Sequence, residues 1–245
     1  MSNGWIQSDE EDADWWVNTG PTASGNTGPN GDHTSGNGKY LFTEASGFVN
    51  DTAILISPCL DLTNIQCPKL DFWYNMFGAA TGTLSAQMYD GTNWVTVWTL
   101  SGNQGPDWNL AEADLCAFEG MVSQLRFVGK IGSATTSDIA IDDINLYEPE
   151  PYDAYVLDVI APVDGCGLTS NESLTITLTN FGYEPLDTIP LNYTVNGGAT
   201  VTENLIATVN PGDTVQYTFT TTVNLSGFGT DYDFVVWSTV PNDIM

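Results

Sequence analysis

The sequence predicts an all-β chain made of two β-sandwiches, and three observations lead to that prediction. Alternation of apolar and polar residues recurs along the 245 residues, whereas helical periodicity is almost absent. Turn signals follow one another closely, and 24 glycines and 12 prolines supply many of them. The segment Glu148-Pro149-Glu150-Pro151 contains two prolines, which favour a stiff, extended connection. We therefore expect one domain over residues 1–148 and another over 149–245.

The first part of the chain has the size and pattern of a jelly roll. Its clearest hairpin runs from residues 84–89 through the turn Asp90-Gly91-Thr92-Asn93 and returns along 94–98. An aromatic stretch at 70–74 is a second predicted strand, in which at least alternate side chains belong to the core.

The second part has the size of a seven-stranded immunoglobulin-like sandwich. Residues 174–179 alternate leucine or isoleucine with threonine, as a half-buried antiparallel strand requires. A second hairpin turns at Asn196-Gly197-Gly198, between strands at 191–195 and 200–202. The sequence therefore predicts a jelly-roll β-sandwich followed by an immunoglobulin-like β-sandwich.

The charge balance excludes several classes of partner. There are 31 acidic residues and four basic ones, Lys39, Lys69, Arg126 and Lys130, which gives a net charge of −27. Binding to nucleic acid or to an anionic membrane surface depends on clustered lysine and arginine, so neither is expected. No apolar run reaches 18 residues, so membrane insertion is not expected either. Acidity of this degree favours a saline or calcium-containing extracellular medium, and solubility alone is the alternative.

Cysteine and histidine usage gives no sign of catalysis. The four cysteines, Cys59, Cys67, Cys116 and Cys166, allow three full disulfide pairings, and the sequence does not choose among them. His33 is the only histidine, so a structural zinc site is not expected. Ser35 lies close to it in sequence, but proximity in a glycine-rich loop does not make a catalytic triad. We expect no enzyme activity.

An ordered set of motifs covers roughly residues 4–147. It comprises Asp12-Ala13-Asp14-Trp15, Gly20-Pro21-Thr22-Ala23-Ser24, Thr27-Gly28-Pro29, Asp32-His33-Thr34, Gly36-Asn37-Gly38-Lys39-Tyr40, Glu44-Ala45-Ser46, Ser57-Pro58, the run 70–78 and the closing segment 138–144. This set closely resembles a MAM domain. The resemblance implies an extracellular jelly roll that serves as an accessory module for adhesion, association or spacing.

The resemblance also implies a calcium ion at one edge of the sandwich. The matching ligands are Asp12 with Glu11 beside it, Asp32, the backbone carbonyl of His33, and Asp142 or Asp143. Calcium takes six to eight oxygen ligands, and these carboxylates would repel one another without a cation. The plainer alternatives are a solvated acidic loop around Asp12 and a β-bulge at Asp142 and Asp143.

The sequence departs from the family pattern in two ways. MAM domains usually open with a cysteine and a Phe-Glu pair, and no such segment precedes Trp5, so the chain is expected to be a trimmed fragment of a longer protein. Cys67 lies where the family would have it, but Cys59 and Cys116 have no firm counterpart. Bridges from Cys67 to Cys59 or to Cys116 both stay open.

The second half is similar to immunoglobulin-like modules of the CARDB type, which follow MAM-like domains in secreted surface proteins of marine Bacteroidetes. The matching segments are Gly165-Cys166-Gly167-Leu168, 174–182, 189–198, Pro211-Gly212-Asp213 and Tyr217-Thr218-Phe219.

These features predict a non-catalytic adhesion or spacer pair of a larger secreted or cell-surface protein. Its partners would be an extracellular protein or glycan and further domains of the same polypeptide. A carbohydrate-binding module is the second hypothesis, because tryptophan faces stack on sugar rings and Trp15, Trp16, Trp94 and Trp108 lie close to turns. The third is an accessory part of a secreted hydrolase.

Overall fold

A computed structural model describes residues 4–9, 11 and 13–240, and the chain divides into compact units at 1–148 and 149–245. Both units consist of antiparallel strands, which confirms the all-β prediction. The first unit contains β1 (Ile6–Gln7), β2 (Trp15–Asn18), β3 (Tyr40–Thr43), β4 (Thr52–Ile56), β5 (Leu60–Asp61), β6 (Lys69–Asn75), β7 (Thr83–Tyr89), β8 (Trp94–Ser101), β9 (Asn109–Asp114), a 3-10 turn (Cys116–Phe118), β10 (Val122–Ser123), β11 (Leu125–Lys130) and β12 (Ile139–Tyr147).

Two five-stranded sheets form a jelly-roll-like sandwich in the first unit, as expected. One sheet has the order β1-β4-β11-β7-β8 and the other β2-β3-β12-β6-β9, so the chain crosses repeatedly between them. Side chains from both sheets fill one core, and Phe72 of β6 meets Phe127 of β11 with ring centroids 4.9 Å apart. The short pair β5 and β10 forms a separate ribbon.

The long connection from β2 to β3 packs beside a small aromatic cluster. Tyr40, Phe42 and Ala140 form this cluster on β3 and β12, and Trp108 packs against it. The indole Nε1 of Trp108 donates to the carbonyl of Gly31 at 3.1 Å. This contact fixes the connection beside the start of β9 and so positions the loop that follows Gly31.

Strand β12 is interrupted by a bulge where it pairs with β6. The register shifts between Asp142 and Asn145, and Asp143 adopts a left-handed φ of 45°. The carboxylate Oδ1 of Asp142 accepts a hydrogen bond from the backbone N–H of Asp143 at 3.0 Å. The bulge therefore turns two successive carboxylates away from regular strand geometry.

The second unit is also a sandwich, with strands β13 (Ala154–Ala161), β14 (Thr175–Asn180), β15 (Leu186–Val195), β16 (Val201–Val209), β17 (Thr214–Thr218) and β18 (Phe234–Ser238). The sheets β13-β14-β17 and β16-β15-β18 share a core that includes Ile176, Leu178, Ile189 and Leu191. The described residues thus give six strands where the sequence suggested seven. Most of residues 219–233 form loops, joined to Glu172 through a single bridge at Val223.

Both predicted hairpins are confirmed. Strands β7 and β8 pair across residues 90–93, and β15 and β16 pair across residues 196–200. The structure also selects one cysteine pairing, a disulfide between Cys67 and Cys116, while Cys59 and Cys166 are exposed free thiols. In the described parts of the chain, no helix has the length and apolar character needed to span a membrane.

Candidate functional site

The loop after Gly31 closes around the carboxylate of Asp32. This buried group accepts hydrogen bonds from the backbone N–H of Ser35 at 3.0 Å, from the Ser35 hydroxyl at 3.1 Å and from the backbone N–H of Gly38. Burial opposes ionisation, but these hydrogen bonds outweigh it and lower the pKa of Asp32. A Cβ at Gly38 would lie 2.7 Å from the Asp32 carboxylate, so only glycine allows this approach.

His33 lies between this loop and the bulge of β12. Its backbone N–H donates to Asp142 Oδ2, and its ring Nδ1 is hydrogen-bonded to Asp143 Oδ2, each at 2.9 Å. The imidazole stacks on Trp73 of β6, with centroids 3.6 Å apart and planes inclined by 13°. Trp108 approaches the imidazole edge-on at 6.4 Å. Two aromatic rings and two carboxylates therefore hold one histidine.

The carboxylates around His33 influence one another electrostatically. Burial raises the pKa of Asp142, and the charges of Asp143 and Asp32 raise it further against the hydrogen bonds that it accepts. The pKa of Asp143 is lowered, because the Thr34 hydroxyl and the His33 ring both bind its ionised form. Three acidic groups thus lie around His33 and influence one another.

These residues have the chemistry of a hard-cation site, since every group except the imidazole offers oxygen. Asp142 and Asp143 each accept two hydrogen bonds, whereas the carboxylate of Asp32 is largely used by Ser35 and Gly38. Among the described residues, ligand atoms from three of these groups do not come within 4.8 Å of one another. The carboxylates surround the loop instead of meeting at a point. Asp12, the remaining predicted ligand, lies outside the described residues, and Glu11 beside it is partly buried.

A second group, Cys67, Asp114 and Cys116, brings potential metal ligands close together. Its two sulfur atoms are bonded to each other in the disulfide, so they are not thiolate ligands. This group is structural. It extends the pairing of β6 with β9, in which Lys69 lies opposite Asp114.

The four tryptophans predicted as ligand contacts occupy different environments. Trp15 is only 1% exposed and donates its indole N–H to the carbonyl of Ala53, so its prediction as a surface platform is wrong. Trp15 lies on the side of β2 that faces the core, although a turn is near it in sequence. Trp108 is partly buried against Tyr40 and the histidine. One face of Trp94 is covered by the Arg126 guanidinium at 4.4 Å.

Trp16 is the most exposed of the four, with 49% of its surface accessible. It lies on β2, at the edge of its sheet, next to the half-exposed Val17. An open, mostly apolar cavity of about 550 Å³ lies between Trp5 and this sheet edge. Its apolar walls include Val17, Leu41, Ile141 and Ile144, and its charged lining residues are Lys39, Asp142 and Asp143. No sequence pattern predicts this cavity, because its walls come from four separate segments.

Ser35 and His33 are each engaged with other groups of the site. The Ser35 hydroxyl donates to Asp32, and the described ring contacts of His33 are with Asp143, Trp73 and Trp108. Trp73 is the functional neighbour that sequence reasoning missed, since it was assigned to an apolar strand. Its outward direction in β6, opposite to that of buried Phe72, was the available signal.

Comparison with known proteins points to one family. The profile of the MAM domain, meprin/A5/mu, matches residues 2–150. Neuropilin-1a of Danio rerio is 33% identical over 150 residues, covering 59% of this chain and 16% of that protein. MAM domain-containing protein 2 of Mus musculus is 33% identical over 146 residues, covering 58% of this chain and 21% of that protein. The chain thus spans about a fifth or less of the length of these two relatives.

Among solved structures, the K1 cleaved adhesin domain of Lys-gingipain from Porphyromonas gingivalis W83 aligns with a TM-score of 0.44 and 19% identity. The alignment covers 60% of this chain and 92% of that one. At that score, the adhesin domain supports no inference about function.

Proposed function

Because the chain belongs to the MAM domain family, we propose that it is a non-catalytic adhesion or spacer part of a larger secreted or cell-surface protein, stabilised by calcium. The observation that carries this proposal is the gathering of Asp32, Asp142 and Asp143 around His33, where one loop meets the bulge of β12.

Calcium would be held by Asp142, Asp143, Asp32 and the backbone carbonyl of His33, with Asp12 as a further ligand. It would supply positive charge to a group of acids that has His33 as a hydrogen-bond partner and Lys39 in the adjoining cavity. The raised pKa of Asp142 supports this assignment, because burial and two nearby negative charges oppose its ionisation. With net charge −27, bound cations also reduce the repulsion within the whole chain.

The proposal of a non-catalytic role has support from the site itself. A nucleophile needs an effective base within hydrogen-bond reach, and the Ser35 hydroxyl is bonded to Asp32, whose lowered pKa makes it a weak base. The ring of His33 is stacked and bonded as a structural element. The second sandwich, by this proposal an immunoglobulin-like module of the CARDB type, would space the first from further domains.

The partners proposed are extracellular proteins or glycans. A surface with four basic residues and 31 acidic ones disfavours contact between two copies unless a cation bridges them. Bead aggregation tests whether two copies associate only when a cation bridges them. Beads coated with the chain should remain dispersed in chelator, and aggregation in chelator would contradict a calcium-dependent role in self-association.

Thermal unfolding with and without calcium tests the metal directly. Calcium added after chelation should raise the Tm of the first sandwich by mass action. The double variant Asp142→Asn with Asp143→Asn should lose this increase. Asp158→Asn, which removes an exposed carboxylate from the second sandwich, should keep it. An unchanged Tm in the wild-type chain would reject the calcium proposal.

Glycan binding is the second candidate, and half-exposed Trp16 favours it. Flat aromatic surfaces at a sheet edge can stack on sugar rings. A glycan array should then give a hit that Trp16→Ala abolishes and Trp94→Ala weakens less, since Arg126 already covers one face of Trp94. An array without hits at millimolar concentration rejects this candidate.

A further inference from the structure

Asp138 is a buried carboxylate with one unsatisfied oxygen. It immediately precedes β12, four residues before Asp142, and none of its surface is exposed. Its Oδ1 accepts the backbone N–H of Ala45 at 3.0 Å. Its Oδ2 is buried without a hydrogen-bond partner among the described residues. Such an oxygen is rare in folded proteins, because an ionised group without a partner is costly to bury.

The two nearby hydroxyl groups do not satisfy this oxygen. Thr27 Oγ1 accepts the backbone N–H of Asp138 at 2.8 Å and donates its own hydrogen to the carbonyl of Phe77 at 2.9 Å. Thr22 Oγ1 donates to the carbonyl of Thr27 at 3.0 Å. The Thr27 hydroxyl hydrogen is therefore used, whereas the Thr22 hydroxyl also lies close enough to Asp138 to lower its pKa through a hydrogen bond. Lone pairs on both hydroxyl oxygens remain available to a cation.

A second carboxylate, that of Glu44, adds negative charge at the same place. Its Oε1 accepts the backbone N–H of Ser46 at 2.8 Å and the Ser24 hydroxyl at 3.3 Å. Burial raises the pKa of Asp138 to about 6 against hydrogen bonds from Ala45 and Thr22 that lower it, and the charge of Glu44 contributes a smaller increase. None of the ion pairs between described residues involves either acid.

We propose that Asp138 and Glu44, with oxygen atoms of the 22–27 loop, form a cation site of their own that takes a hard divalent ion such as calcium. The donors are all oxygen, and a cation would occupy the unsatisfied side of Asp138 while neutralising two acids. A polar cavity of about 300 Å³ also lies along this loop, lined in part by Thr22, Ser24 and Thr27 but not by Asp138 or Glu44, and it has room for water beside the loop oxygens. This site does not depend on the carboxylates around His33.

Calorimetric titration of the chelated full chain with calcium tests the proposal. Glu44→Gln should remove one bound calcium ion per chain, because Gln keeps the shape and loses the charge. The Asp142 and Asp143 double variant should lose a different calcium ion. A chain that carries all three substitutions should lose both ions. If the proposed function fails and no calcium binds near His33, Glu44→Gln still removes the one ion that remains.

The variant Asp138→Asn tests whether a cation or a proton neutralises the carboxylate of Asp138. In chelator at neutral pH, the variant should be at least as stable as the wild-type chain, because its amide replaces an unpaired charge. In calcium, the Tm of the wild-type chain should rise more than that of Asp138→Asn. Glu44→Gln should lose the same part of the increase. Wild-type calcium stoichiometry in both Glu44→Gln and Asp138→Asn would overturn the proposal.

Discussion

The imidazole of His33 stacks on the indole of Trp73, with centroids 3.6 Å apart and planes 13° from parallel. The stack joins a long loop to the middle of a sheet, because Trp73 lies opposite Asp142 in the register of β6 and β12. The same pairing places His33 within hydrogen-bond distance of both acids of the bulge. The contact between His33 and Trp73 therefore positions the loop next to the carboxylates of Asp142 and Asp143.

A double-mutant cycle measures this contact. His33→Ala and Trp73→Ala should each lower the free energy of unfolding, and the pair should show a coupling energy of about 0.5–1.5 kcal/mol. The cycle removes the separate loss of the bond to Asp143, which occurs whenever His33 is replaced. Additive effects would show that the stack contributes nothing.

Neighbouring tryptophans provide a matched test of the β2 orientation. Trp15→Ala should destabilise the first sandwich by about 3–5 kcal/mol, because it removes a large core side chain and its hydrogen bond to Ala53. Trp16→Ala should change stability by about 0.5 kcal/mol or less, because that side chain is half exposed. Chemical denaturation measures both. Equal losses would contradict the placement of β2.

The disulfide between Cys67 and Cys116 should contribute to the stability of the first sandwich. It closes a segment with a sequence separation of 49, for which loop entropy predicts up to about 4 kcal/mol. Replacing both cysteines by serine should lower the Tm, whereas Cys59→Ser should leave it unchanged. Alkylation of the native chain should label Cys59 and Cys166 only. Labelling of Cys67 would refute the pairing.

Glu203 should control the acid stability of the second sandwich. Burial opposes its ionisation, but hydrogen bonds from the backbone of Thr220 and Thr221 and from the Tyr217 hydroxyl outweigh it. Its pKa falls from the ordinary 4.5 to about 2. A lowered folded-state pKa gives stability that is fully present above the unfolded value and is lost as the pH falls towards 2.

Glu203→Gln should therefore cost about 1 kcal/mol at neutral pH, the low end for a charge-assisted group that is partly exposed. The difference from the wild-type chain should shrink between pH 5 and pH 2, within the window set by the ordinary and lowered pKa values of Glu203. Asp187→Asn, at an exposed position of the same unit, provides the control for loss of one charge. A constant difference across this pH range would contradict the assignment.

Periodicity was enough to predict the strands, because residues such as Leu174 to Leu178 alternate so regularly. It was not enough for Trp15, since the distance from a turn does not determine which side of an edge strand faces inward. The sequence identified Asp142 and Asp143 only through a resemblance and raised the bulge as an alternative. The structure contains the bulge, so both acids also satisfy local backbone and side-chain donors.

Contacts between distant segments explain what the sequence could not provide. The partner of His33 is 40 residues away at Trp73, and the unsatisfied oxygen of Asp138 is visible only when the donors of Thr22 and Thr27 have been assigned. Neither Trp73 nor Asp138 stands out by residue type, because the chain has eight tryptophans and 31 acidic residues. Only their surroundings distinguish them.

Terbium luminescence tests the calcium proposal at this location most directly. Terbium replaces calcium at oxygen sites, and excitation of a tryptophan within a few ångströms of the ion sensitises its emission. The chelated chain should give strong emission that calcium displaces, and the Asp142 and Asp143 double variant should remove most of it. Trp73→Phe should weaken it in part, because Trp108 also lies beside His33, while Trp94→Phe should leave it unchanged. Emission that persists in full in both Trp73→Phe and the double variant would contradict a cation site beside His33.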